Sequence, residues 1–252
     1  YARQVFRHAE QGGAAGQPAI VAENERGQVV ELSWSELRRR TASLALELRD
    51  QGIERGDRVA AYLPNMPEAV IAMLACASLG AIWTMCSPDM GTPAVLDRFR
   101  QVAPKALIAV DGVYYGGRSV TSLFLIETGY GATALDGITD FGAAQSRDDA
   151  ETAAFEPEWL PFDHPLWILY SSGTTGLPKA IVHGHGGIIM ATCAGALHFD
   201  LGPSYAPNSF GERFHWYSAT GWVMWNIQAG GLLTGTTICL YDGSPGGTKS
   251  EP

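Results

Sequence analysis

Apolar and polar positions along the first hundred residues follow two alternating patterns, which predict strands and helices in turn. Short apolar runs at 59–63, 81–86 and 106–110 are each bounded by turn-forming residues, which is typical of strands buried on both faces. Between these runs, apolar residues recur with the spacing of a helix face. Strands that alternate with helices at short intervals predict an α/β fold, with mostly parallel sheets flanked by helices.

Helix start signals support this prediction. Ser33 and Glu36 form a capping-box pattern ahead of an apolar helical face. Asn65 and Glu68 repeat the pattern at the start of a second helix. A third helix is predicted over residues 92–102, where a Thr-Pro pair opens the segment.

The stretch 69–86 has no charged residue and approaches the length of a membrane span. It is rich in Ala, Ser and Cys, and Gly80 interrupts it. This composition favours a buried helix followed by a buried strand over a membrane span.

The second half of the chain starts with a weaker pattern. Over residues 114–161, glycines are scattered through short apolar pieces and no element is predicted. A strand over 166–170 then leads into a turn, and a helix is predicted over 187–198. The remaining pattern predicts a strand, a helix and a strand at 214–217, 223–233 and 237–241.

Composition and charge narrow the function classes. The chain has 252 residues, enough for a packed core, and its 17 basic against 26 acidic residues leave a net charge of −9. This charge excludes a general nucleic-acid binder with a basic face. The four cysteines form no zinc-type or disulfide spacing, and the first residues do not form a signal peptide, so we expect a reducing, cytoplasmic location.

The turn at 171–179 has the composition of a phosphate-binding loop, with four hydroxyl residues, two glycines and a terminal Lys179. Glycines let backbone N–H groups converge on oxygen atoms, hydroxyls donate hydrogen bonds, and lysine supplies a compact positive charge. The spacing differs from that of a Walker A loop. A flexible surface turn is the alternative, but its place directly after a buried strand favours a functional site.

The segment 170–179 resembles the phosphate-binding signature of the adenylate-forming superfamily, which includes acyl-CoA synthetases and luciferases. Further similarity covers residues 1–118 and 155–245, through the segments 60–65, 86–89, 95–99, 216–226 and 238–245. The resemblance is most pronounced for the branch that ligates acetoacetate to CoA. It implies that the fold is part of the large N-terminal domain of an adenylate-forming enzyme.

The resemblance implies a two-step reaction with ATP, Mg²⁺ and CoA as substrates or cosubstrates, and no tightly bound cofactor. A carboxylate would attack the α-phosphate of ATP, and the CoA thiol would then displace AMP. Lys179 and Thr175 would be catalytic. The residues expected to bind the ATP phosphates are Ser171, Ser172, Gly173, Thr174, Thr175, Gly176 and Lys179.

Four aromatic residues lie close together just before the last predicted helix. By resemblance, Trp222, Val223 and Met224 would line the pocket for a short acid, because a tryptophan wall excludes longer ones. Trp216 and Tyr217 are instead predicted to pack in the core, because large aromatic side chains dominate protein cores.

Three further side chains are candidates for the site. His183 and His185 form a pair that strand alternation would place on one face, but no third ligand accompanies them, so no metal site is predicted. By resemblance, His185 would pack near the substrate, and Arg118 would contact the CoA nucleotide. A solvated arginine is the alternative for Arg118.

The predicted organisation has four segments: 1–118, a divergent segment 119–154, 155–245, and an unstructured tail 246–252. Motifs that the superfamily carries later, and its C-terminal lid domain, are absent, so we expect a truncated portion that is inactive alone. Its partners would be small molecules, without nucleic acid or membrane. An acetyl- or propionyl-CoA synthetase and a non-catalytic nucleotide-binding fragment are the alternatives.

Overall fold

The computed structural model describes residues 1–115, 118–121, 139–171 and 176–246, with 114, 115 and 118–121 described by their backbone alone. The strands are β1 (Pro18–Asn24), β2 (Val29–Ser33), β3 (Arg58–Tyr62), β4 (Ile82–Cys86), β5 (Ala106–Ala109), β6 (Gly112–Tyr115), β7 (Arg118–Thr121), β8 (Pro165–Ser171), β9 (Lys179–Gly184), β10 (Arg213–Phe214) and β11 (Thr237–Asp242). The helices are α1 (Ala2–Phe6), α2 (Ala9–Ala14), α3 (Trp34–Asp50), α4 (Pro67–Leu79), α5 (Thr92–Val102), α6 (Phe141–Ala144), α7 (Ala150–Ala154), α8 (His185–Phe199) and α9 (Val223–Gly230), which continues as a short 3-10 helix (Gly231–Thr234).

The larger sheet has the strand order β5-β3-β4-β8-β9. The first four strands pair in parallel, and β9 returns antiparallel along β8. The predicted strands 59–63, 81–86 and 106–110 correspond to β3, β4 and β5. The expected α/β fold is therefore confirmed.

A smaller sheet has the order β10-β11-β1-β2. β1 and β11 pair in parallel, with Ile20 opposite Ile238, while β2 is antiparallel to β1. The early and late parts of the described chain thus share one sheet.

Helix α4 is buried on every side. Each residue from Ala69 to Leu79 is at most 6% exposed, and the helix packs against α1, α3 and β4. Gly80 ends it with a φ of +71°, and a Cβ there would lie 2.9 Å from Leu160 Cδ2. The uncharged stretch 69–86 is therefore core, and none of the described helices is both long and apolar enough to cross a membrane.

The predicted start of α3 is confirmed. Ser33 Oγ accepts a hydrogen bond from the Glu36 backbone N–H at 3.2 Å. The Glu36 carboxylate turns to Arg39 and Arg40, whose hydrogen bonds and charges lower its pKa to about 2.

The predicted cap of α4 is wrong. The helix begins after Met66 and no side chain caps it. Asn65 is buried, accepts a hydrogen bond from Trp225 Nε1 at 2.9 Å, and donates Nδ2–H to the Tyr241 carbonyl at 3.2 Å. A buried amide needs partners at both ends, and tertiary contacts supply them here in place of the helix terminus.

The core position predicted for Trp216 and Tyr217 is also wrong, since each is 39% exposed. β10 pairs with β11 over Arg213 and Phe214 only, and the chain then leaves the sheet. The Tyr217 hydroxyl donates to the Gly243 carbonyl at 2.9 Å. The predicted strand 214–217 is therefore much shorter than expected.

The described part of the weakly patterned segment packs on α3. Ser43 Oγ donates to the Ala144 carbonyl at 2.7 Å, and Arg49 pairs with Glu151 at 2.6 Å. Residues 122–138 lie outside the described residues. The boundaries 1–118, 119–154 and 155–245 stay predictions.

Candidate active site

The turn predicted to bind phosphate joins the antiparallel strands β8 and β9. Ser171 ends β8 and lies opposite Lys179, which begins β9 and is exposed. Gly176 is exposed, with open space around its Cα. Lys179 has no ion pair with any residue that the structure describes.

The other predicted phosphate ligands are not described. Ser172, Gly173, Thr174 and the catalytic candidate Thr175 lie outside the described residues. Their roles, like those of Ser171, Gly176 and Lys179, stay predictions.

The carboxyl ends of β3, β4 and β8 lie at one edge of the larger sheet, which is where open parallel sheets bind their ligands. The loop before α9 crosses this edge. Thr220 Oγ donates to the Leu63 carbonyl at 2.6 Å, and a Cβ on Gly221 would lie 3.3 Å from the Met85 carbonyl oxygen. These contacts hold the N-terminal end of α9 against the sheet edge.

A small cavity of about 90 Å³ lies between the ends of the two sheets. Asn65 follows β3, Asp89 follows β4 and Asp242 ends β11, and all three line it. Burial, with the nearby carboxylates of Glu25 and Glu68, raises the pKa of Asp242 to about 6. The acidic lining disfavours a phosphate here.

A larger cavity of about 310 Å³ lies between the larger sheet and the helices α8 and α9. Pockets for small molecules start at about this volume. Its walls are mostly apolar and come mainly from four elements: Trp167 and Leu169 of β8, His183 of β9, Ile188, Ala191, Thr192, Gly195, Ala196 and Phe199 of α8, and Val223, Asn226, Ile227 and Gly230 of α9. Leu201, Phe214 of β10, and Gly231 and Thr234 of the 3-10 helix complete them.

This cavity, Ser171 and Lys179 share one face of the sheet. Successive side chains of a strand point to opposite faces, so Trp167 and Leu169 lie on the face of Ser171. Trp167 pairs with His183, and Ser171 pairs with Lys179. Lys179 and His183 are four positions apart on β9, which corresponds to about 13 Å. The cavity wall at His183 and the turn residue Lys179 therefore lie along the same strand face.

Of the three predicted acyl-pocket residues, one lines the larger cavity and two do not. Val223 lines the larger cavity. Trp222 precedes the first turn of α9 and is 54% exposed, while Met224 is half-buried. Neither Trp222 nor Met224 lines that cavity, so their role stays a prediction.

The two candidate histidines do not share a strand face. His183 lies in β9, and burial lowers its pKa. His185 begins α8, where burial, with the charge of His164, lowers its pKa to about 3. His185 lies six positions after Lys179, just beyond the other end of β9. The described residues contain no group of three potential metal ligands.

Arg118 begins β7, where its backbone pairs with Tyr115. Its side chain is not described, so contact with CoA stays a prediction.

Sequence reasoning missed two residues near the site. Asn65 was assigned to a helix cap, although it holds Trp225 in α9. Asn226 was not singled out, although it lines the larger cavity. A polar residue within the apolar segment 222–227 was the signal that could have found it.

The geometry agrees with the comparison to known families. A family model described as AMP-binding enzyme matches residues 6–251. The chain therefore belongs to the AMP-binding enzyme family, as the resemblance in residues 170–179 implied.

Within that family, the chain is similar to acetoacetyl-CoA synthetases. It is 42% identical to the acetoacetyl-coenzyme A synthetase of Rhizobium meliloti (strain 1021), over 90% of this chain and 36% of that protein. It is 37% identical to the acetoacetyl-CoA synthetase of Mus musculus, over 97% of this chain and 38% of that protein. The chain thus spans less than two fifths of the length of either relative.

Two solved structures are similar to the structure of this chain. The acetoacetyl-CoA synthetase from Streptomyces lividans superposes with a TM-score of 0.87 at 46% identity, over 97% of this chain and 38% of that one. The luciferase-like enzyme of the nonluminescent Zophobas morio mealworm gives a TM-score of 0.73 at 19% identity, over 95% of this chain and 53% of that one. The second likeness shows the fold alone.

Proposed function

We propose that the protein containing this chain is an ATP-dependent acid–CoA ligase that converts acetoacetate, ATP and CoA to acetoacetyl-CoA, AMP and pyrophosphate. The observation that carries the proposal is the shared sheet face, which aligns the larger cavity with Ser171 and Lys179 at the phosphate turn. The names of the relatives favour acetoacetate over acetate or propionate.

The first step would form an acyl-adenylate. A carboxylate oxygen of the acid attacks the α-phosphorus of ATP, and the bond from that phosphorus to the pyrophosphate oxygen breaks. Negative charge then accumulates on pyrophosphate. Lys179 supplies a positive charge beside the turn, and the hydroxyl and backbone N–H groups of 171–176 supply donors, so the site stabilises charge as it develops.

The second step would transfer the acyl group. The CoA sulfur attacks the acyl carbonyl carbon, the bond from that carbon to the AMP oxygen breaks, and the thiol proton is released. Arg118 is our candidate for contact with the CoA nucleotide. Mg²⁺ accompanies ATP as part of the substrate.

The same proposal includes a cytoplasmic location and a role in lipid metabolism. The four cysteines are free thiols in the structure, which supports a reducing compartment. The net charge of −9 supports small-molecule substrates over nucleic acid.

The test is exchange of labelled pyrophosphate into ATP, catalysed by the complete gene product with acetoacetate, acetate or hexanoate. We expect exchange with acetoacetate, and a loss of about 10²- to 10³-fold in the Lys179→Ala variant, because one charged group at developing charge is removed.

The matched control is Lys105→Ala. Lys105 is also an exposed lysine, but it precedes β5 at the opposite edge of the sheet and pairs with Asp57 at 2.7 Å. Equal losses in the two variants would contradict the role of Lys179. Equal exchange with all three acids would contradict acetoacetate as the substrate.

A further inference from the structure

Helix α5 contacts the chain on both sides of the phosphate turn. Before the turn, the Tyr170 hydroxyl of β8 donates a hydrogen bond to the Arg98 carbonyl at 2.9 Å. After the turn, Gln101 donates Nε2–H to the Pro178 carbonyl at 2.9 Å. One helix thus holds the two arms of the turn, at positions 170 and 178.

Helix α5 is itself fixed to the larger sheet. Val102 of α5 is buried. Arg58 of β3 donates Nε–H to the Val102 carbonyl at 2.9 Å and Nη2–H to the Ala103 carbonyl at 3.1 Å. The last carbonyls of a helix have no partner within the helix, and this guanidinium supplies one. The Arg98 guanidinium also lies over the Tyr170 ring, with Cζ 5.6 Å from the ring centre. These contacts join α5 to β3 and β8, so the helix is a fixed support beside the turn.

The Gln101 amide links this support to the backbone of Lys179. Its Nε2 group carries two hydrogens and has two acceptors, the Pro178 carbonyl and the Asp97 carbonyl of α5, each at 2.9 Å. The peptide unit that joins Pro178 to Lys179 is planar, so a hydrogen bond to its oxygen also constrains the nitrogen and Cα of Lys179. Lys179 is exposed and forms no ion pair with a described residue. The direction of its side chain therefore depends on the backbone that carries it.

We propose that Gln101 and Tyr170 are positioning residues, through which α5 holds the phosphate turn so that Lys179 is directed at the phosphates of ATP. The inference rests on the proposed function, in which Lys179 stabilises the negative charge that develops on pyrophosphate. A charged group stabilises a transition state most when its position is fixed before the reaction. Both residues act indirectly: Gln101 acts through the peptide unit before Lys179, and Tyr170 acts through the end of β8.

The test is the exchange of labelled pyrophosphate into ATP by the complete gene product, with acetoacetate as the acid. Gln101→Met keeps the length of the side chain and removes its donors. We expect the kcat of exchange to fall about two- to tenfold, as for the loss of one hydrogen bond. The KM for acetoacetate should stay the same, because the larger cavity is unchanged. Tyr170→Phe removes the other donor, and we expect a decrease of the same size.

Gln51→Met is the matched control. Gln51 is also an exposed glutamine at the C-terminal end of a helix, and its Nε2 group donates to Glu47 Oε1 at 2.8 Å and to Thr139 Oγ1 at 2.7 Å. It lies near β5, at the opposite edge of the larger sheet from β9. We expect this variant to leave exchange unchanged. Thermal melting checks that each variant is folded, and Gln101→Met carries the test if Tyr170→Phe is not.

A double variant separates positioning from a purely structural role. In the Lys179→Ala background there is no lysine charge to direct, so we expect Gln101→Met to cause no further loss of the residual exchange. A residue that only stabilises the fold would lower exchange by the same factor in both backgrounds.

The outcomes distinguish this inference from the proposed function. The role of Gln101 would be overturned, with the ligase proposal left standing, by an unchanged kcat in Gln101→Met, by an equal decrease in Gln51→Met, or by the same loss in the Lys179→Ala background. Unchanged exchange in a folded Tyr170→Phe variant would overturn the role of Tyr170. No exchange by the wild type with any acid would overturn the ligase proposal, and the positioning role with it.

Discussion

Helices α4 and α8 are both apolar on nearly every side, but α4 is buried whereas α8 is largely exposed. Residues 69–79 of α4 are all buried, whereas in α8 the buried residues are His185, Gly186 and Ala196. Leu197 of α8 is 87% exposed. Apolar composition therefore identifies a helix that can be buried, but not how many of its sides the fold covers.

The difference follows from the position of each helix. α4 is enclosed by α1, α3 and β4, so its sides face other elements. α8 packs on the 3-10 helix after α9 and on β9, which lies at the edge of the larger sheet. The side of α8 towards the sheet forms the cavity wall. The core helix thus supports the fold, while α8 provides a surface for the candidate site.

The largest expected effect comes from shortening one leucine side chain in each helix to alanine. Leu74→Ala in α4 removes a fully buried side chain and is expected to lower the free energy of unfolding by about 2–5 kcal/mol. Leu197→Ala in α8 removes an exposed side chain and is expected to change it by at most about 0.5 kcal/mol. Urea unfolding measures both, and equal losses would contradict the comparison.

A smaller effect is expected when side chains are enlarged. Ala72→Leu adds atoms to the packed surroundings of α4 and should destabilise the protein by about 1–3 kcal/mol. Gly195→Ala in α8 adds a methyl group whose nearest contact is the Phe199 ring at 4.0 Å, and should stabilise the helix by up to about 1 kcal/mol. Thermal melting checks the opposite signs, and destabilisation by Gly195→Ala would show that the cavity wall is already tightly packed.

A further expected effect concerns pH and the first turn of α8. Because burial holds the pKa of His185 at about 3, below its ordinary value of 6.5, the unfolded chain binds a proton first as the pH falls. His185 therefore contributes stability above pH 6.5 that is lost between pH 6.5 and about 3.

The corresponding test is the midpoint of thermal unfolding as a function of pH. His185→Gln removes the titrating group, so its midpoint should fall less steeply than that of the wild type between pH 6.5 and 4. His198→Gln, near the exposed end of α8, is the control and should leave the slope unchanged. Identical slopes in all three proteins would contradict the assignment to His185.

Local elements could be predicted well from the sequence. The predicted helix 92–102 has the bounds of α5, and Ser33 caps α3 as expected. These signals succeed because a cap or a turn is formed by residues a few positions apart. The prediction failed at Asn65, whose partners Trp225 and Tyr241 come from a distant part of the chain.

In the candidate site, too, one part could be predicted from the sequence and another part could not. The composition of 171–179 predicts a phosphate-binding turn, because its hydroxyl residues, glycines and lysine are neighbours in the chain. The larger cavity could not be predicted, because β8, β9, α8 and α9 form its walls only after folding. Asn226 can be recognised as a cavity residue only within those walls.

The sequence by itself determined the alternation of strands and helices, the composition of the turn at 171–179 and the family resemblance, because each depends on residues close together in the chain. Only the tertiary structure decided that β1 pairs with β11, that α4 is enclosed while α8 is largely exposed, and that Asn226 lines a cavity on the face of Lys179. Burial is a property of surfaces that meet, and those surfaces come from distant parts of the chain.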